Sequence, residues 1–108
     1  MTEITICKSN GNYKGFSCLG HAGFAEDGED IICSAISILT INTLNSIEAF
    51  AGDEMIITAE EDSADLQMYF VDTPSKEAVL FMKALELGLT SIADQYGKRF
   101  VKVLIQEV

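Results

Sequence analysis

Positive charge is scarce in this chain. Seven lysines and arginines stand against 17 aspartates and glutamates in 108 residues, a formal net charge of −10. The basic residues are scattered (Lys8, Lys14, Lys76, Lys83, Lys98, Arg99, Lys102), so no basic stripe exists to displace counterions from a phosphate backbone. Direct binding of DNA or RNA is therefore not expected. An acidic protein attracts basic polypeptides through its long-range field, although acidity for solubility alone gives the same composition. Continuous apolar runs of the roughly 18 to 20 residues that span a bilayer are also missing. Met1 to Lys8 reads as a strand and not as a basic start before an apolar run, so no signal peptide is expected. These absences point to a cytoplasmic protein with no membrane partner.

Cysteine is limited to Cys7, Cys18 and Cys33, and histidine to His21. Three cysteines without a secretion signal argue against a disulfide framework. They leave core filler, metal ligands or a reactive thiol. Linkers, low-complexity tracts and heptad runs are absent as well. With 48% hydrophobic residues, the chain has apolar material for one core and is expected to form a single domain over 1–108.

What is present is patterned. Ile4 and Ile6 alternate with Glu3, Thr5 and Cys7, and 13–19 reads as a second strand. The turn Ser9-Asn10-Gly11-Asn12 between them holds residues that tolerate positive φ, so a hairpin is predicted. Residues 20–30 are Gly-rich, acidic and too broken for helix or strand. Long ordered loops of this kind tend to be functional. Asp30 is predicted to cap a helix running to about Ala51, with Gly52 as its stop. Ile32, Ala35, Ile36, Leu39, Ile47 and Phe50 recur at helical spacing, and Ile31, Ile38, Ile41 and Leu44 extend the apolar surface almost all round. A central, buried helix is expected. Residues 55–59 and 66–71 form a second strand pair about the acidic turn Glu60-Glu61-Asp62-Ser63. Thr73 is predicted to cap a second helix, with Pro74 in its first position. Its buried stripe is Ala78, Phe81, Met82, Leu85, Leu89, Ile92 and Tyr96, and Gly97 stops it. A last strand follows over 100–105. The order ββαββαβ implies an α+β fold, a mixed or antiparallel sheet packed with two helices.

The chemistry centres on His21 and Cys33, twelve residues apart. Cys33 is predicted in the first turn of the central helix, where unpaired N–H groups and the helix dipole favour a thiolate over a thiol. The same N–H groups suit the oxyanion of acyl transfer. His21 has the chemistry to take the thiol proton and return it to a leaving amine. Ser37, four residues after Cys33, lies on the same helix face, placed to bond near the sulfur or to orient a partner. Asp30 caps the helix, orients His21, or both. Two bland readings stand beside this one: a buried cysteine is commonly an inert small hydrophobe, and a histidine among glycines is commonly a loop residue. A zinc reading takes Cys18-x-x-His21 with Cys33 and Cys7 as ligands. A non-enzymatic acidic binding module is the rival functional class.

The segments Gly20-His21-Ala22-Gly23 and Gly28-x-Asp30-Ile31-Ile32-Cys33-Ser34-Ala35-Ile36-Ser37, followed by Thr40-x-Asn42-Thr43-x-Asn45, resemble the signature of the ribosomal-processing cysteine protease family Prp. Ser34 and Ile36 depart mildly from it. The resemblance covers nearly the whole chain. It implies a cytoplasmic homodimeric endopeptidase without cofactor or metal. Its implied substrate is the precursor of large-subunit ribosomal protein number twenty-seven, from which a short N-terminal extension is removed. It carries the catalytic roles onto Cys33 and His21 and supporting roles onto Asp30 and Ser37. It also implies a mobile substrate-facing segment at Ala22, Gly23, Phe24, Glu26, Asp27, Gly28 and Glu29. Glu26, Asp27 and Glu29 would place negative charge where a basic substrate arrives.

Overall fold

The computed structural model describes residues 2–19, 29–60, 65–96 and 100–108, with Glu29 and Asp30 described as backbone only. The sequence-predicted loop residues His21, Ala22, Gly23, Phe24, Glu26, Asp27 and Gly28, the stop at Gly97 and most of the acidic turn lie outside the described residues.

β1 (Thr2–Ser9) and β2 (Asn12–Leu19) pair antiparallel, with Ser9 opposite Asn12. Asn10 (φ 52°) and Gly11 (φ 81°) form the two-residue connection. Two positive φ values in succession match the right-handed twist of the flanking strands, which is why Asn-Gly closes this hairpin. Ile4, Ile6, Phe16 and Cys18 are buried in the core. The register sets Cys18 opposite Ile4 and Cys7 opposite Gly15, so these two thiols do not face each other. β3 (Met55–Ala59), β4 (Leu66–Phe70) and β5 (Val101–Glu107) complete a sheet of order β3-β4-β2-β1-β5. All pairings are antiparallel except that of β5 with β1, so the sheet is mixed, as the element order implied. β2 and β4 approach so closely at Gly15 that a Cβ there would lie 2.0 Å from the Met68 carbonyl oxygen.

α1 (Glu29–Ser46) and α2 (Lys76–Tyr96) pack on the core residues of the sheet. α1 differs from expectation in three ways. It already includes Glu29 and Asp30, so Asp30 lies inside the first turn and is not the residue preceding it. Its continuation over Ile47–Ala51 is a π-helical segment, closed by Gly52 (φ 74°), whose N–H donates to the Ile47 carbonyl at 2.7 Å. It is buried on one side only: Ile32, Ile36, Leu44 and Ile47 join the core, while Ile31, Ile38 and Ile41 are 68%, 71% and 52% exposed. The sheet and α2 cover one flank of the helix and leave the other bare. Length and apolar content would let 31–51 cross a membrane, but the buried third of it belongs to the core shared with the strands and α2.

α2 begins after Ser75, not at Thr73-Pro74. The Ser75 hydroxyl accepts the Ala78 N–H (3.1 Å), the geometry of an N-cap. Asp53 decides between the two cap-type residues, since it accepts both the N–H (2.7 Å) and the hydroxyl of Ser75. Ala78, Met82, Leu85 and Leu89 are the buried stripe, Phe81 and Ile92 are half-buried, and Tyr96 is exposed, against the expectation for it. Tyr13 and Lys8 anchor the hairpin to α2 through Glu86, at 2.8 and 3.2 Å.

Candidate active site

Cys33 is the fifth residue of α1, one position past the first turn. In an α-helix its N–H reaches the carbonyl four residues back, so the unpaired donors belong to the turn before it. The expectation that Cys33 itself lies in that turn is corrected accordingly. Its sulfur still stands one turn from the positive end of the helix, where negative charge is favoured.

The three thiols differ in access. Cys7 and Cys18 are buried, whereas Cys33 is half-buried. Two neighbours come from the strands beneath. The Thr2 hydroxyl lies 3.7 Å from the Cys33 sulfur, and Thr2 itself is fully buried. Cys18 lies near enough that negative charge on Cys33 acts on it. Burial first, then Cys33 and Asp65, push the Cys18 thiol up to about 11. Cys18 therefore remains a neutral thiol near pH 7, unsuited to attack. Sequence reasoning missed Thr2. It lies 31 residues from Cys33, and only the packing of α1 across β1 brings the two together.

One turn further along α1, Ser37 lines a pocket of about 260 Å³ with Cys18, Thr40, Ile41, Ala59 and Leu66, and with Glu60 and Asp65 at the base of the acidic turn. Among the described residues a hydroxyl within bonding reach of the sulfur is that of Thr2, and Ser37 forms part of this pocket wall. Thr40 and Thr43 spend their hydroxyls on carbonyls of their own helix, Ile36 (2.9 Å) and Leu39 (2.7 Å), which satisfies them without a catalytic role. A larger groove of about 460 Å³ runs between α2 and β5, but Cys33, Cys18 and Ser37 are not in its wall. Among the described residues no group of three or more His, Cys, Asp or Glu gathers to hold a metal ion. His21, which the zinc reading also needs, lies outside them, as do the side-chain roles predicted for Asp30 and Glu29.

The arrangement offers an accessible sulfur near the start of a helix, a buried hydroxyl against it and, one turn along the same helix, a pocket of side-chain size lined by Ser37 and Cys18. Comparison with known proteins agrees with this chemistry. The family model described as cysteine protease Prp matches residues 1–101. The ribosomal processing cysteine protease Prp of Bacillus subtilis is 27% identical over 101 residues, covering 89% of this chain and 90% of that protein. Its namesake from Staphylococcus aureus is 27% identical over 79 residues, 73% of this chain and 74% of that one. The fold matches the S. aureus protease Prp crystallised with a substrate peptide, at a TM-score of 0.92 and 21% identity over 98% of this chain and all of the other. It also matches SMU.848 from Streptococcus mutans, at 0.87 and 26% identity, over 100% and 99% of the two chains.

Proposed function

The chain belongs to the Prp family of ribosomal-processing cysteine proteases, and from that premise we propose an endopeptidase with Cys33 as nucleophile and His21 as general base. Its substrate is a basic large-subunit ribosomal protein precursor, number twenty-seven, from which it removes the N-terminal extension in the cytoplasm. The reading rests foremost on Cys33 being the accessible thiol of the three, with a pocket able to take a substrate side chain one turn further along α1, lined by Ser37 and Cys18. The chain order adds support. His21 stands two residues after Leu19, the end of β2, and Cys18 on that strand lies close enough to Cys33 to interact with it.

In this mechanism the imidazole of His21 takes the Cys33 proton, and the thiolate attacks the scissile carbonyl carbon. The oxyanion is met by N–H groups of the first turn of α1. The C–N bond then breaks, the imidazolium protonates the leaving amine, and water hydrolyses the thioester. No cofactor or metal enters any step. Asp30 and Ser37 act in support, Ser37 through the pocket wall, and residues 22–29 face the substrate. The net charge of −10 favours encounter with a basic partner. The bare flank of α1, with Ile31, Ile38 and Ile41, supports a homodimer.

The test is incubation with an extended precursor, read by intact mass. Cys33→Ala abolishes cleavage while circular dichroism stays native. Cys33→Ser is nearly as inactive, because a hydroxyl ionises far less readily. His21→Ala loses most activity. Full activity in either alanine variant refutes the pair.

A further inference from the structure

The environment of the proposed nucleophile contains a group that the acid–base scheme leaves unused. Thr2 is the first residue of β1 and is completely buried. A buried hydroxyl needs a partner, and that of Thr2 has the Cys33 sulfur at 3.7 Å. The backbone beneath it is fixed, since the Thr2 N–H donates to the Phe100 carbonyl at 2.9 Å and Thr2 sits opposite Val101 in the β1–β5 ladder. β-branching limits the side chain to few rotamers, so the hydroxyl is held on rigid sheet, aimed at the helix above.

We infer that Thr2 is a positioning residue for the nucleophile, its hydroxyl donating to the Cys33 sulfur and holding it as a thiolate toward the substrate side of α1. This inference rests on the reading of Cys33 as nucleophile. With a neutral thiol either group can donate. Once the sulfur is ionised it can only accept, so the O–H must point at it. A hydrogen bond to the ionised form favours that form and is stronger than its neutral counterpart. The bond also restrains the sulfur, which a half-buried helix position alone does not. β2 carries Tyr13, Lys14 and Cys18, of which Cys18 is the one that interacts with Cys33; Asp65 before β4 acts on Cys18 in turn, and His21, the proposed base, follows β2 in the chain. Cys18 titrates near 11, and peptide mapping reads it separately from Cys33.

The experiment follows the rate of Cys33 alkylation by iodoacetamide against pH, with peptide mass mapping to separate it from Cys7 and Cys18. Thr2→Val keeps size and strand preference but removes the donor. It is expected to raise the midpoint of the Cys33 profile by about one pH unit, equivalent to about tenfold slower alkylation below the midpoint. Thr2→Ser restores the hydroxyl and returns the midpoint to within a few tenths of a unit. A merely structural role for Thr2 would change stability and leave the midpoint in place, and an unchanged midpoint in Thr2→Val overturns the inference. Should Thr2→Val not fold, the unsubstituted protein decides. The Thr2 methyl NMR resonance is expected to titrate with the Cys33 alkylation midpoint and to become flat in Cys33→Ser. A flat resonance in the unsubstituted protein overturns the inference. If Cys33→Ala still cleaves precursor, the nucleophile assignment fails, whereas the alkylation profile reports on the Thr2–Cys33 bond independently of cleavage.

Discussion

Cys18 makes folding sensitive to alkaline pH, by an amount that follows from its surroundings. It is 3% exposed on β2, and its thiol is raised from an ordinary 9.0 to about 11 by burial, then by Cys33 and Asp65. In the unfolded chain those causes vanish. Below pH 9 both states hold the proton and Cys18 contributes nothing to the pH dependence. From pH 9 upward the unfolded chain releases its proton first, so stability falls until the native thiol ionises in turn near 11. At about 1.36 kcal/mol per unit, the loss attributable to Cys18 is about 2 kcal/mol at pH 10.5 and nil at pH 7. Cys7 and Tyr13, whose groups burial also raises, lose stability in the same direction. These terms are common to the wild type and to Cys18→Ala. Urea unfolding of both proteins at pH 7 and 10.5 therefore isolates one thiol. Cys18→Ala is less stable at pH 7 because of the atoms it removes from the core, and the gap is expected to narrow by about 2 kcal/mol at pH 10.5. A gap that is the same at both pH values would refute the reasoning. In the Cys33→Ala background the narrowing should be smaller, because the second of the three causes is gone.

Other outcomes follow from contacts already described. Gly15→Ala puts a Cβ 2.0 Å from the Met68 carbonyl oxygen, backbone that cannot swing aside, and should cost about 2 kcal/mol or more in urea unfolding; a loss below about 0.5 kcal/mol would mean that β2 and β4 separate freely. Ser75→Ala should cost about 1 kcal/mol as the loss of an N-cap, and Asp53→Ala about the same or more. Because Asp53 acts through Ser75, the double variant should lose clearly less than the sum of the two, whereas strict additivity would separate their roles. Ile38→Asp with Ile41→Asp should shift sedimentation to monomer without lowering stability, and unchanged sedimentation would move the homodimer contact away from this flank of α1.

Local chemistry made much of the fold readable. The hairpin follows from alternation in β1 and from Asn10-Gly11, whose positive φ values suit the strand twist. The core stripe of α2 follows from its 3.6 period, except at Tyr96, the last residue of the helix, which is exposed. What could not be read depends on neighbours distant in the chain. The apolar residues of α1 do not say which side the sheet will cover, so Ile31, Ile38 and Ile41 passed for core. Thr73 and Ser75 are both good caps, and the choice falls to Asp53, 22 residues before Ser75. The role proposed for Cys33 rests in the sequence on its place near a helix start and on the signature around it, to which the structure adds that it is the half-buried thiol of the three. Thr2 carries no local signal of its contact with that sulfur, which exists only once β1 lies beneath α1.

Gly88 gives this architecture a further consequence. A Cβ there would come within 2.6 Å of a Leu39 methyl, so the two helices cross almost in contact, six residues along α1 from Cys33. A methyl added at 88 touches no reacting atom, yet if Leu39 does not swing clear it pries α1 from its neighbour and tilts the sulfur relative to the strand below. The thiol's chemical reactivity then serves as a gauge of how two layers of the protein are spaced.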